Sequence, residues 1–403
     1  MTREEYRAMK EMQNKRRTVE RKGYEAAKGA MDWPFFLLTL LLTGIGLAML
    51  FSASFPSAYH ESGDATFYVR RQAFFALVGI VAMLGMSKMN YQRLRGMAVF
   101  ALGGSLFLLV LVIVPGVGIT VNNATRWLGV EGVLTFQPSE FAKLGVILYF
   151  ANSISKKKSL MKKPKAVFLP YAPILLSIAL LMMLEPHLSG TILICGIGVT
   201  MMIVGGMNRW LVFGGLGGAG ALAFGYVKLV DIMAKKDVYI YGAGRIRMWR
   251  DPWLDYIGEG YQMAQSLISI GSGGLMGVGF GKGRQKFMFL PEEHNDFIFA
   301  IICEELGMIG ASLIILIFIL LILRGFWIAL HARDRFGALL VVGCMTQISL
   351  QTFLNMAVVT GLVPATGISL PFFSYGGTAL ALQLLEMGIV LSVSRQIPAP
   401  RNG

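Results

Sequence analysis

In the stretch LPEEHNDFIFAIICEELG, residues 290 to 307, Glu292, Glu293 and Asp296 fall within five residues of one another, directly before a long apolar run. In the first turn of a helix the macrodipole stabilises a carboxylate, while burial and neighbouring acids disfavour its charge. These opposed effects suit Asp296 to act as a base. Equally, three acids can simply favour a helix N-terminus and face water. Glu304 and Glu305 lie more than two turns into the apolar run, where an ionisable residue is either functional or half of a buried structural pair.

A second constellation is TVNNATRWLGVEGVLTFQPSEFAK, residues 120 to 143. Asn122, Asn123, Arg126 and Trp127 read as an outer loop. The Pro and Ser of QPSE begin a helix, and Glu140 and Lys143, at i and i+3, share one face. Such a pair belongs toward a polar cavity, although Trp127 could equally be an interfacial anchor and the pair helix glue. In EPHLSGT, residues 185 to 191, Glu185 and His187 break two helices at the same level.

Two basic clusters could clamp a pyrophosphate: Arg245, Arg247 and Arg250 in RIRMWR, and Lys282, Arg284 and Lys286 in GKGRQK. The run GSGGLMGVGFGKG has seven glycines in 13 residues, which allows close backbone approach to a ligand or makes a flexible loop. It is not a nucleotide-binding P-loop, because Met276 stands where the first glycine is required and Gly283 replaces the Ser or Thr. Near the C-terminus Gln351 and Asn355 lie inside a helix, and Ser374, Tyr375, Gly376 and Gly377 are read into the last helix, mostly as architecture.

The elements that must position these residues are membrane helices. Of 403 residues, 55% are hydrophobic and 15% charged, with a mean hydropathy of +0.61, which describes a polytopic membrane protein. The expected fold is all-α, with ten spans near 34–53, 71–87, 97–117, 139–154, 167–184, 189–207, 210–229, 296–323, 337–361 and 370–393. The chain divides into a basic tail, 1–32, a membrane domain, 33–394, and a short tail, 395–403. With an internal N-terminus, cytoplasmic segments hold 24 Lys and Arg against 12 outside, eight of them in the long loop 230–295, which the positive-inside rule does not count. Both termini are therefore expected to be cytoplasmic and the loop 230–295 extracytoplasmic. The net charge of +14 is then a topology signal with attraction to anionic lipid, rather than a mark of nucleic-acid binding. Cys195, Cys303 and Cys344 fit neither a metal site nor a disulfide framework. No inverted repeat of the transporter kind is visible.

QPSEFAK, the GYQ…QSL…GSGGLMGVGFGKG run, LPEEHNDFIFAIICEELG and NMAVVTGLVPATGISLPFFSYGGTAL resemble the SEDS family, the FtsW, RodA and SpoVE group that builds bacterial cell wall. The wording VVTGL and the long basic tail are most similar to the FtsW and SpoVE branch. The resemblance implies a multi-pass protein of the bacterial cytoplasmic membrane, a peptidoglycan glycosyltransferase that polymerises lipid II at the outer face for septal or spore wall synthesis. Asp296 matches the family's essential acid and would act as general base, with inversion at the anomeric carbon. Arg126, Trp127, Glu140, Lys143, Arg245, Arg247, Arg250, Lys282, Lys286, Glu292, His294 and Ser374 are the expected substrate contacts. A divalent cation, Mg2+ or Mn2+, could assist, with no nucleotide cofactor. The implied partners are lipid II, a class B penicillin-binding protein and other division or sporulation proteins. A lipid II flippase and a non-catalytic scaffold are the alternatives. Two positions depart from the family pattern: Asn295 replaces the usual Thr, and His187 stands where an acid is usual.

Overall fold

The computed structural model describes residues 29–121, 124–130, 134–157, 161–234 and 243–397. The basic tail before residue 29, Asn122, Asn123 and the last six residues lie outside them. The described chain is a helical membrane protein. Its helices are α1 (Trp33–Ser62), α2 (Phe67–Lys88), α3 (Leu94–Ile113), α4 (Pro138–Lys156), α5 (Pro164–Leu184), α6 (Leu188–Val204), α7 (Arg209–Ala234), α8 (Ala243–Arg250), α9 (Tyr261–Gly273), α10 (Ile298–Leu330), α11 (Arg335–Val359) and α12 (Gly377–Ser394). Among the described residues seven helices are long and apolar enough to cross a membrane: α1, α2, α3 with its preceding 3-10 turn, α5, α10, α11 and α12. The other three expected crossings are present as helices α4, α6 and α7, of which α6 has only 17 residues.

The termini of these helices follow local chemistry. Asp32 caps α1 by accepting the Phe35 N–H at 3.0 Å, and Asp334 caps α11 by accepting the Gly337 N–H at 2.9 Å. α4 and α5 each begin with a proline, whose missing N–H is no loss in the first turn. The buried share of the span separates centre from periphery: 72% in α11 and 67% in α12, against 22% in α2 and α5. α11 and α12 are thus the middle of the bundle, and α2 lies so close to α12 that a Cβ on Gly388 would stand 2.7 Å from the Met83 carbonyl oxygen.

The segment 119–136 is not a plain loop. Ile119–Val121 (β1), Ala124–Val130 (β2) and Leu134–Phe136 (β3) form an antiparallel sheet in the order β1-β2-β3, with Ile119 opposite Trp127 and Leu128 opposite Phe136. Two of these strands have three residues each, too few for alternation to be read from sequence.

The region 274–309 explains the two deep acids. α10 kinks at Gly307, whose φ of 66° and ψ of −173° leave the helix. There the glycine run lies against it: Val278 and Gly279 donate to the carbonyls of Glu304 and Glu305 at 2.9 and 3.0 Å, and Met308 donates to Gly274 at 2.9 Å. A Cβ on Gly307 would fall 2.2 Å from the Gly277 nitrogen, so only glycine fits. The Glu304 carboxylate accepts the Arg284 N–H at 2.7 Å. Glu305 accepts the Gly281 N–H at 3.0 Å, the Ser52 hydroxyl at 2.7 Å and the Lys286 ammonium at 2.7 Å. Both acids are buried and take up N–H groups of a turn that has no helix to satisfy them. The glycines therefore let the loop approach α10 rather than a ligand.

Candidate active site

At one end of the bundle a cavity of about 1060 Å³ opens between α2, β2, α4, the α5–α6 junction, α8 and the segments 292–297 and 365–379. Its lining includes Asp296. That residue lies in the irregular turn ahead of α10 and not in the helix's first turn, since α10 begins at Ile298 and Phe297 supplies no side-chain cap. The turn is shaped by Glu292, at φ 57°, whose carbonyl accepts the N–H groups of Asn295 and Phe297. Three successive carbonyls are then fixed from outside. The Tyr375 N–H donates to His294 at 2.9 Å, the Ser374 hydroxyl to Asn295 at 2.7 Å and the Asn355 amide to Asp296 at 2.8 Å.

Backbone anchoring leaves the Asp296 carboxylate turned toward the cavity, close enough to Gly367 that a Cβ there would stand 3.2 Å from Oδ2. Among the described residues no hydrogen bond or ion pair holds that carboxylate. Burial pushes its pKa up to about 6 and Glu292 adds to the rise, while Arg126 and His294 oppose it. Such a group is ionised near neutral pH yet retains appreciable basicity. A carboxylate whose folded pKa is raised costs stability as pH climbs past its ordinary value. Asp296→Asn should therefore melt above the wild type at pH 8 and level with it near pH 4, as read by thermal denaturation at the two pH values.

Opposite Asp296, β2 contributes Arg126 and Trp127, both lining the cavity. The Arg126 guanidinium donates to the carbonyls of Glu185, at 3.2 Å, and Pro186, which ties the sheet to the α5–α6 junction. Behind it Glu185 is buried, and burial lifts its pKa to about 7 against the pull of Arg126. His187 lines the cavity as a neutral imidazole, because burial, Arg126 and Lys143 drive its pKa down to about 3. On α4, Glu140 and Lys143 form a 2.7 Å ion pair facing the cavity, with Lys143 also 3.5 Å from Gln351 of α11. Pro138 is the expected helix start, but Ser139 makes no cap; its buried hydroxyl has no hydrogen-bond partner among the described residues.

Eight of the expected site residues meet here: Arg126, Trp127, Glu140, Lys143, Arg245, Glu292, His294 and Asp296. The others do not line the cavity. Lys286 is 2% exposed and paired with Glu305, so its ammonium is occupied inside the protein. Lys282 sits on the exposed glycine loop, and Arg247 and Arg250 lie on exposed positions of α8, off the face that carries Arg245, Met248 and Trp249 to the cavity. Ser374 acts on backbone, accepting from Leu370 and donating to Asn295. Together with Tyr375 and Gly376 it precedes α12 rather than belonging to it, because Phe372 at φ 65° turns the chain there.

Sequence reasoning did not single out Arg71, which lines the cavity from α2 near Tyr375. Its only signal was a basic pair, Arg70 and Arg71, opening an apolar helix. For a divalent cation, Glu292 and Asp296 could supply two carboxylates. Among the described residues no group of three or more acid, His or Cys side chains is placed to hold a metal. A cation here would owe its remaining ligands to substrate phosphate and water.

A helical membrane bundle whose end cavity is lined, among the described residues, by four basic and four acidic side chains, Asp296 among them, is arranged as an enzyme for a polar substrate. The FtsW, RodA and SpoVE family profile, described as Cell cycle protein, matches residues 32–398, and the chain belongs to that family. Stage V sporulation protein E of Bacillus subtilis is 42% identical over 369 residues, covering 91% of this chain and 98% of the relative. The probable peptidoglycan glycosyltransferase FtsW of Geobacter sulfurreducens is 39% identical over 368 residues, 91% and 95% of the two chains. Among solved structures, a chain of a peptidoglycan synthase complex described as coordinating polymerization and crosslinking superposes with a TM-score of 0.73 at 29% identity. It covers 91% of this chain and 98% of that one. Rod shape determining protein RodA of Thermus thermophilus does so with a TM-score of 0.66 at 28% identity, over 92% and 98%.

Proposed function

We propose that the protein is a peptidoglycan glycosyltransferase, polymerising an undecaprenyl-pyrophosphate-linked disaccharide peptide in the end cavity, on the outer face of the bacterial cytoplasmic membrane. The observation that carries this reading is the Asp296 carboxylate, unpartnered among the described residues and facing a cavity of about 1060 Å³. Asp296 takes the proton of the acceptor sugar hydroxyl as that oxygen attacks the anomeric carbon of the donor. The pyrophosphate leaves with the bonding electrons, and a single displacement inverts the anomeric centre. The departing group already stabilises its charge, so it needs cations rather than an acid. Arg71, Arg126 and Arg245 line the cavity and can supply them, whereas Lys286 cannot while it is paired with Glu305. A divalent cation, if bound, adds further charge neutralisation.

Glu304, Glu305 and Glu386, the acids a flippase would use as a charged path, are all buried and hydrogen-bonded to internal partners. That favours polymerisation over transport. The partner that fits is a class B penicillin-binding protein, which would crosslink the strands as they emerge.

The test is purified full-length protein with its cognate transpeptidase in liposomes, given lipid II. Glycan strands are expected. Lipid II crossing the bilayer with no strand formed would sink the polymerase reading in favour of a flippase.

A further inference from the structure

The peripheral helix α2 turns one buried stripe toward α12. Gln72, Ala76, Gly79, Met83 and Met86, spaced alternately four and three apart, make up that stripe, and most of the helix faces outward. Gln72 brings an amide to it and is 1% exposed. A buried amide in an apolar span is costly unless both of its ends are bonded. Both ends meet the same stretch of backbone: Nε2 donates to the Ser374 carbonyl at 3.1 Å, and Oε1 accepts the Gly376 N–H at 3.1 Å. A carbonyl only accepts and an N–H only donates, so these partners fix which way the amide faces.

Tyr375 is the residue bracketed between them. Its N–H donates to the His294 carbonyl at 2.9 Å, and the Ser374 hydroxyl donates to the Asn295 carbonyl at 2.7 Å. A run of hydrogen bonds therefore leads from α2 to the peptide that precedes Asp296. It passes through residues 374–376, which come before α12 and depend on such partners for their shape. Phe75, one turn along α2, closes the same stretch, its ring leaving no room for a Cβ on Gly377. Gln72 is absent from the cavity lining that includes its neighbour Arg71, so it acts through the turn and not on substrate.

Resting on the reading of Asp296 as the base, we propose that Gln72 is a positioning residue for glycosyl transfer. Its amide holds residues 374–376, these hold the carbonyls of His294 and Asn295, and the carbonyls set the direction from which Asp296 meets the acceptor hydroxyl. A displacement of about 1 Å at a reacting group can lower a rate by about 10²-fold. Asn355 still holds the Asp296 carbonyl from α11, so loss of Gln72 leaves part of the alignment in place.

The test is single-turnover sugar transfer, direct lipid II binding and a thermal melt, on the full-length protein with its transpeptidase. The variants are Gln72→Leu, Gln72→Asn, Leu384→Ala and Asp296→Asn. Gln72→Leu keeps the bulk and removes both bonds. It should slow transfer by about 10- to 100-fold and leave lipid II binding within about threefold. Gln72→Asn keeps an amide one methylene short and should fall between leucine and wild type; it carries the test by the same criterion should Gln72→Leu not fold. Leu384→Ala loosens the same helix contact, at Gly79, without touching the amide. It should lower the melt yet leave transfer, measured well below that melt, within about twofold. Transfer by Gln72→Leu within threefold of wild type overturns the proposal. So does an equal slowing in Leu384→Ala, or a loss of binding that matches the loss of rate. A wild type that forms no strands, or an Asp296→Asn variant that transfers normally, would instead overturn the base itself, so the two failures are told apart.

Discussion

Asp296→Asn should lower the rate of strand elongation by about 10²–10⁴-fold while leaving lipid II binding within about threefold of the wild type. The substitution keeps the shape of the side chain and removes only its capacity to take a proton. The fold around it should hold, because the turn is fixed through the carbonyls of His294, Asn295 and Asp296, none of which the substitution touches. Nor does the carboxylate support another residue, since no hydrogen bond among the described residues ends on it. The measurement is single-turnover sugar transfer alongside direct lipid II binding. A variant retaining a tenth or more of the wild-type rate would make Asp296 a structural acid of the turn and leave Glu292 or Glu140 as the next candidate. It would also revive the scaffold reading, under which the chain serves by recruiting a synthase rather than by being one.

How much of this was legible in the sequence depended on whether the partner of a residue lay nearby in the chain. Helices lie at or near the expected positions, seven of them among the described residues long and apolar enough to cross a membrane, because long apolar runs and breakers such as Pro138 and the Glu185–His187 junction are local signals. The Glu140–Lys143 pair was readable for the same reason, one helical turn apart. Asp296 was picked out by its acid neighbours, yet the turn that holds it depends on Asn355, 59 residues from Asp296, and on Ser374, 79 residues from Asn295. The glycine run misled for the complementary reason. Glycine shows that something comes close to the backbone, not what does, and here it is the kink at Gly307. Likewise Lys286 shared a basic cluster with Lys282 and Arg284, but burial beside Glu305 and Ser52 removed it from the site. Two three-residue strands and the lone contribution of Arg71 carried too little pattern to be seen in advance.

That buried lysine supplies the second large effect. Lys286 Nζ lies 2.7 Å from Glu305 Oε1, 3.0 Å from the Ser52 hydroxyl and 2.8 Å from the Gly281 carbonyl, with its side chain 2% exposed. Lys286→Met keeps the length and apolar stem but strands an anionic Glu305 away from water. Removing one member of such a pair costs on the order of 3–5 kcal/mol, most of it the penalty of the charge left behind. Glu305→Gln alone should cost a comparable amount, because it leaves the Lys286 ammonium buried without its counter-charge and puts an NH2 in place of one of the two oxygens that accept from the Gly281 and Gly283 N–H groups. The double variant Lys286→Met, Glu305→Gln should recover much of the loss, since it leaves no unpaired charge. Thermal melts of the three variants in one detergent give the comparison, with polymerisation assayed well below every melting point. A lysine that clamps a substrate pyrophosphate would behave in the opposite way: its replacement would leave the melt in place and weaken lipid II binding. The two roles of a basic residue beside a glycine loop are thus separated by which quantity moves, and the 2.7 Å contact with Glu305 places the effect on stability.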